Sequence, residues 1–254
     1  MIDMADQGDS YDPRISMDGH GDAVVLVPGM DGTGQLFYRQ TPALARSYRV
    51  ATYALRDAAA RMDTLVTDLS HVIAAADPID RRAIVIGESF GGALALTFAL
   101  AHPEQVRALV VLNSFPYFAP QVRLHLAMTA LTLMPWGAMS VVRRLTAFRL
   151  HSPHTHRREV KRFLELTRQT RREGYLGRLR LLTEYDVRDR LPEIAVPTLF
   201  LAADCDNLVP AVAQAHAMAS RVPGATLRVL AGQGHICLIA PDIDLAQILA
   251  DWRG

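Results

Sequence analysis

A chain of 254 residues, half of them hydrophobic and about a fifth charged, is sized for one α/β folding unit with a sizeable buried core. A formal net charge of +1 provides no global field to attract nucleic acid or an anionic membrane. Apolar runs are all cut by Gly, Pro or Arg before bilayer-spanning length, and two cysteines are too few for a disulfide scaffold.

The first nineteen residues are polar and acidic, so they are expected to be poorly ordered. They lack the basic segment and apolar core of a secretory signal, which gives an expectation of cytoplasmic residence. Beyond them, strand-like and helix-like segments alternate. Ala23–Val27 is an uninterrupted apolar run ended by Pro28-Gly29, the pattern of a strand buried on both faces. Similar runs fall at Arg49–Ala54, Ala83–Gly87, Ala108–Leu112 and Thr198–Ala202, with a shorter one at Leu227–Leu230. Helical spacing occupies about 35–46, 62–76, 91–102, 211–221 and 242–252, each long enough for a crossover. The expected fold class is therefore α/β, a mostly parallel central sheet with helices on both faces. Between about 117 and 190 no strand is evident, and apolar residues such as Leu124, Met128, Leu131, Phe163 and Leu166 recur at helical spacing. The expectation is one domain over 1–254, with a core of about 20–116 and 191–254 and a helical insertion of about 117–190.

Gly87-Glu88-Ser89-Phe90-Gly91 lies between an apolar strand and an Ala/Leu-rich helical segment, and it fits G-x-S-x-G. The glycines allow a sharp turn in which a side chain at either flank would collide, presenting Ser89 at a helix N-terminus whose dipole favours developing negative charge. A serine hydroxyl needs a base, and the base needs an orienting acid. Downstream, one strand runs into Ala203-Asp204-Cys205-Asp206 and the next into Gly232-Gln233-Gly234-His235. Acid and histidine thus follow strand carboxyl ends, where open α/β sheets bind ligands.

With these residues in view, positions of roughly 20 to 252 resemble the α/β-hydrolase superfamily. The resemblance implies the chain order serine, acid, histidine. The family's Gly-x-x-Asp-x-x-x-Pro turn matches Ala203 through Pro210 and selects Asp206, with Asp204 as the other candidate and Ala203 departing from the usual glycine. Gly232–His235 resembles its Gly-x-Gly-His turn. The oxyanion hole implied by the resemblance uses the backbone amides of Phe90 and Met30, the latter in Pro28-Gly29-Met30-Asp31-Gly32-Thr33-Gly34. That loop has neither the Gly-Lys-Ser/Thr ending of a phosphate-binding loop nor the spacing of a dinucleotide fingerprint. The insertion occupies the place of the superfamily's cap, and Phe115, Tyr117, Phe118, Leu208 and Ile236 are candidates to line a substrate pocket.

From Arg143 to Arg190 there are fourteen Lys or Arg against six Asp or Glu. Such a face could attract an anionic partner, an acyl carrier protein or the phosphates of coenzyme A, or it could be a solvated helical surface, the reading favoured here. His151, His154 and His156 are close in sequence but lie in a basic setting without the carboxylates or thiolates of a metal site. Cys205 and Cys237 are expected as free thiols.

The resemblance implies a serine hydrolase acting on a small-molecule carboxylic ester or thioester through an acyl-serine, with no cofactor and no metal. Two alternatives stay open. The PGMDGTG and GESFGG segments also resemble plastid enzymes that esterify phytol and related alcohols, which implies acyl transfer to an alcohol. A non-catalytic receptor on the same fold is the other.

Overall fold

The structure, a computed structural model, describes residues 14–59, 61–118 and 121–253. Seven strands form one sheet: β1 (Ser16–Asp18), β2 (Ala23–Val27), β3 (Arg49–Thr52), β4 (Ala83–Glu88), β5 (Val106–Leu112), β6 (Thr198–Ala203) and β7 (Thr226–Leu230). Their order is β1-β3-β2-β4-β5-β6-β7, and every pairing is parallel except the antiparallel edge pair β1 with β3.

The apolar runs form strands because both faces of the sheet are covered. Alternate residues serve opposite cores, as the two-residue period of a strand requires. Val25, Val27, Val85, Val111 and Phe200 pack on one face with α2 (Met62–Ala76), α3 (Phe90–Ala101) and α8 (Ala211–Ala219). Val24, Leu26, Ile84, Ile86 and Val110 pack on the other with Phe37, α1 (Thr41–Leu44) and α9 (Leu245–Arg253). Helix α3 is apolar all round because it is buried all round, with Phe90, Leu94, Leu96 and Phe98 at 0% exposure.

Two expectations need correction. Residues 16–18, placed in a poorly ordered N-terminal stretch, form β1; its three exposed residues pair through main chain alone and carry no apolar signal. Residues 1–13 of that stretch lie outside the described residues. The helix expected over 35–46 is instead a 3-10 turn at Gln35–Phe37 followed by the short α1, where Pro42 sits in the first turn.

Between β5 and β6 come α4 (Gln121–Leu133), α5 (Met139–Leu150), α6 (Arg157–Leu166) and α7 (Arg172–Glu184), with no strand among the described residues. The side chains of Leu124 and Met128 lie outside those residues. The two ends of this segment are pinned together. Tyr117 bridges Asp186, the Val187 amide donates to the Pro116 carbonyl at 2.8 Å, and the Arg188 guanidinium lies 3.8 Å over the Tyr117 ring.

Backbone packs closely on backbone where α3 leaves β4. A Cβ on Gly91 would stand 2.2 Å from the carbonyl oxygen of Val27, and one on Gly87 would stand 2.2 Å from the carbonyl oxygen of Gly91. Neither obstacle is a movable side chain. Gly91→Ala is therefore expected to lower unfolding stability by about 2–4 kcal/mol. Urea denaturation measures it, and a change within about 0.5 kcal/mol would mean that β2 and α3 do not pack this closely.

Candidate active site

Five loops converge at the carboxyl ends of the parallel strands, the edge where such sheets bind ligands. After β4, Ser89 adopts φ 55° and ψ −118°, a left-handed backbone that serine rarely takes. Strain of this kind persists only when the surroundings enforce it. Here the Ser89 amide donates to the Leu112 carbonyl at 2.9 Å. Its own carbonyl accepts from the Gly92 amide at 3.0 Å and from the Ser114 hydroxyl at 2.7 Å. The turn leaves the Ser89 hydroxyl at the mouth of α3, and Phe90 is the first residue of that helix, whose leading amides have no partner within it.

The Ser89 Oγ lies 3.0 Å from His235 Nε2, and His235 Nδ1 lies 2.7 Å from Asp206 Oδ2. The other oxygen of Asp206 accepts from the amides of Leu208 at 2.8 Å and Val209 at 3.0 Å. Both side chains are almost completely shielded, 3% exposed for His235 and 1% for Asp206. Asp204, the other acid candidate, points elsewhere: its carboxylate accepts from the Gly232 amide at 2.7 Å and so braces the turn leading to His235.

Several residues that hold this arrangement carry no motif. Asn113, at φ 47° after β5 and 1% exposed, accepts from the Ala203 amide at 2.8 Å and donates to the His235 carbonyl at 2.8 Å. It ties the acid-bearing strand to the histidine loop. The segment between α5 and α6 grips the same loop from the other side. Ser152 donates to Gln233 at 2.6 Å and accepts from the Gly234 amide at 3.0 Å, and the Ile236 amide donates to the Leu150 carbonyl at 2.7 Å. His151 is buried beside this contact, against Phe163, and burial lowers its pKa. His154 pairs with Asp242 and with Gln233.

The pocket candidates do not behave alike. Phe115 is 2% exposed and packs edge-on against Phe118 and Tyr185, with centroids at 4.9 and 6.3 Å. Tyr117 lies under Arg188 at the neck of the insertion. Ile236 packs with Phe163 and Ile239 beneath α6. Leu208 is 55% exposed in the acid turn. Met30 lies half-buried in the loop after β2, against the core that holds Phe90. A cavity of about 1000 Å³ opens beside Asp31, Thr33, Tyr38, Arg56, Arg162 and Arg171. Ser89 and His235 do not border it.

The basic stretch is largely paired within the fold. Arg143 donates to the Thr167 carbonyl, Arg158 pairs with Glu159, Arg162 covers the Tyr38 ring, Arg171 faces Asp57, and Arg190 pairs with Glu193. No helix among the described residues is long and apolar enough to cross a membrane. Cys205 and Cys237 are free thiols, the first exposed and the second buried.

A strained serine thus lies at the carboxyl edge of a mostly parallel sheet, linked through histidine to a carboxylate. The family model described as alpha/beta hydrolase fold matches residues 22–240, and the chain belongs to that family. Among curated relatives, the RutD protein of Serratia proteamaculans, whose name describes a carbamate hydrolase, is 29% identical over 241 residues, covering 90% of each chain. A hydrolase from Pseudomonas aeruginosa superposes with a TM-score of 0.83 at 24% identity, covering 94% of this chain and 93% of that one. The enol-lactonase of Burkholderia xenovorans superposes at 0.81 with 20% identity, covering 95% and 96%.

One group behind the serine is unusual. Glu88 ends β4, is 4% exposed, and its Oε1 has no hydrogen-bond partner among the described residues. Burial, then the nearby carboxylates of Asp31 and Asp206, push its pKa from 4.5 to about 8. The folded protein therefore keeps a proton that the unfolded chain releases near its ordinary pKa. Stability from this site is full below about pH 4.5 and is lost progressively as pH rises to about 8. Glu88→Gln removes that dependence. Its unfolding free energy is expected to gain on the wild type by a few kcal/mol, order of magnitude, between those limits and then level off. Denaturation at a series of pH values tests this, and parallel curves would contradict it.

Proposed function

We propose that the protein hydrolyses a small carboxylic ester or thioester through an acyl-Ser89 intermediate. The observation that carries this reading is the hydrogen-bonded relay from the Ser89 hydroxyl through His235 to the shielded carboxylate of Asp206.

In this reading His235 Nε2 takes the proton as Ser89 Oγ attacks the substrate carbonyl carbon. Asp206 holds the imidazole in the tautomer with Nδ1 protonated and stabilises the imidazolium that forms. The carbonyl oxygen becomes an oxyanion and receives the amides of Phe90 and Met30, which are fixed before the charge develops and need no reorganisation to meet it. When the tetrahedral intermediate collapses, the bond to the leaving alcohol or thiol breaks and His235 returns the proton to it. Water, deprotonated by the same nitrogen, then attacks the acyl carbon; the bond to Ser89 Oγ breaks, His235 returns the proton to that oxygen, and the acid is released. No step requires a metal or an organic cofactor.

The segment from α4 to α7 would act as a cap over this chemistry, with Tyr117, Phe118 and Ile236 near its base. Recruitment of an acyl carrier protein or coenzyme A by its arginines has little support, since most of those cations already have partners. A second reading, hydrolysis of a carbamate, is favoured by the RutD relative, which spans nearly the whole chain. A carbamate presents the same carbonyl to the same nucleophile, and only the atoms flanking it differ. Transfer of the acyl group to an alcohol differs only in what resolves the intermediate.

A panel of p-nitrophenyl esters, acyl thioesters and simple carbamates, each run with and without added alcohol, separates these readings. Ester or thioester turnover is expected to exceed carbamate turnover. Ser89→Ala is expected to lose about 10⁴-fold or more in kcat and all labelling by a fluorophosphonate. Equal labelling of wild type and Ser89→Ala would mean that the nucleophile is another residue. Faster carbamate cleavage would transfer the assignment to the second reading.

A further inference from the structure

Arg178 stands apart from the other cations between Arg143 and Arg190. It lies on α7, is 2% exposed, and is the largest of the fully buried side chains. A cation so shielded is costly unless its protons are well placed. Its Nε donates to the carbonyl of Met30 at 3.0 Å and a terminal nitrogen donates to the carbonyl of Asp31 at 3.2 Å. These are consecutive carbonyls in the loop after β2, and the turn that holds them is closed by the Gly32 amide donating to Gly29 at 3.1 Å.

The loop is shaped to receive the guanidinium. Gly32 has φ 70°, and a Cβ there would lie 2.6 Å from the guanidinium carbon, so glycine is needed for backbone and space alike. Beyond the turn, the Leu55 amide donates to the Gly32 carbonyl at 2.8 Å and the Asp31 carboxylate accepts from the Thr33 amide at 2.8 Å. On the helix side, a Cβ on Gly174 would come within 2.1 Å of the Asp57 carboxylate and 3.0 Å of Arg178 itself. Glycines on both partners thus let α7 approach the loop closely enough for a fork of donors to reach two adjacent carbonyls. An ammonium cannot match that planar geometry.

We propose that Arg178 is a positioning residue that clamps the oxyanion loop from the insertion and so holds the Met30 amide in place for the transition state. The proposal rests on the reading of Met30 as an oxyanion donor. The Asp31 carbonyl shares one planar peptide unit with the Gly32 amide, and that amide donates to the Gly29 carbonyl at 3.1 Å. The Gly29 carbonyl shares its own planar unit with the Met30 amide, so the fork on Asp31 is carried through the turn to that donor. The contribution falls on kcat, because an oxyanion donor acts on charge that develops after substrate is bound.

The experiment uses the full chain and its best ester from the panel. Arg178→Met keeps an unbranched apolar stem and removes the fork, while Arg178→Lys keeps the charge. For Arg178→Met, kcat is expected to fall about 10- to 100-fold with KM within about threefold. Affinity for an alkyl boronic acid, which mimics the tetrahedral intermediate on Ser89, should fall by a similar factor, and affinity for the carboxylic acid product should hold. Arg178→Lys should recover only part of the loss. A loss of fold alone would also lower apparent kcat at constant KM, so kcat is taken per active site titrated with fluorophosphonate, and misfolding would leave the ratio of boronate to product affinity unchanged.

The proposal is overturned if folded Arg178→Met keeps kcat and boronate affinity within threefold of the wild type. It is overturned equally if only KM rises. Should Arg178→Met fail to fold, Arg178→Lys is read by the same criteria. Fluorophosphonate labelling of the wild type comes first: an unlabelled wild type overturns the proposed function and this proposal together, whereas a labelled one with an unaffected Arg178 variant overturns this proposal alone.

Discussion

The close approach of α3 to the end of β2 is the constraint from which the rest of the site follows. Two glycines permit it, and no other residue could stand at either position without striking a backbone carbonyl. The chain can then reverse from strand to helix within one residue, and that residue, Ser89, is left in a left-handed conformation. The same geometry sets the hydroxyl before the first amides of α3, so the proposed nucleophile and the amide of Phe90 proposed to meet the oxyanion come from one turn. Strain at Ser89 is sustained by its hydrogen bonds to Leu112, Gly92 and Ser114 rather than by its own preference.

The parallel sheet supplies the second condition. Because neighbouring strands point the same way, the residues after β2, β4, β5, β6 and β7 all emerge at one edge. Asn113 joins two of those loops, and Asp204 braces the turn before His235. The insertion then reaches down to both sides of the site, through Ser152 and Leu150 to the histidine loop and through Arg178 to the loop after β2. It is thus bonded to the loops around Ser89 on either flank, and a change in its packing would be felt by both.

Much of this was legible in the residues. The central strands declare themselves as unbroken apolar runs because both faces are covered, and Ser89, Asp206 and His235 could be marked because each follows such a run. The choice between Asp206 and Asp204 depended on a turn pattern in sequence, and it becomes geometric only when the imidazole is seen 2.7 Å from Asp206. What could not be read has a common physical cause. β1 is held by main-chain pairing, which has no side-chain period. Asn113, Ser152 and Arg178 act through contacts with residues 90, 82 and 148 positions away, and no local pattern reports such a partner. Arg178 was further hidden among arginines that are mostly surface residues. Leu208, a pocket candidate by its closeness to Asp206 in sequence, is 55% exposed in the acid turn.

The central claim is covalent: Ser89 carries the acyl group between two half-reactions. Rapid-quench mixing of the protein with an excess of p-nitrophenyl ester, followed by intact and peptide mass measurement, tests it directly. The account predicts a burst of nitrophenol approaching one per active site, together with the mass of one acyl group on the peptide containing Ser89. Turnover with no acylated peptide at any quench time, under conditions where a burst is seen, or an acyl group found on another residue, would contradict it.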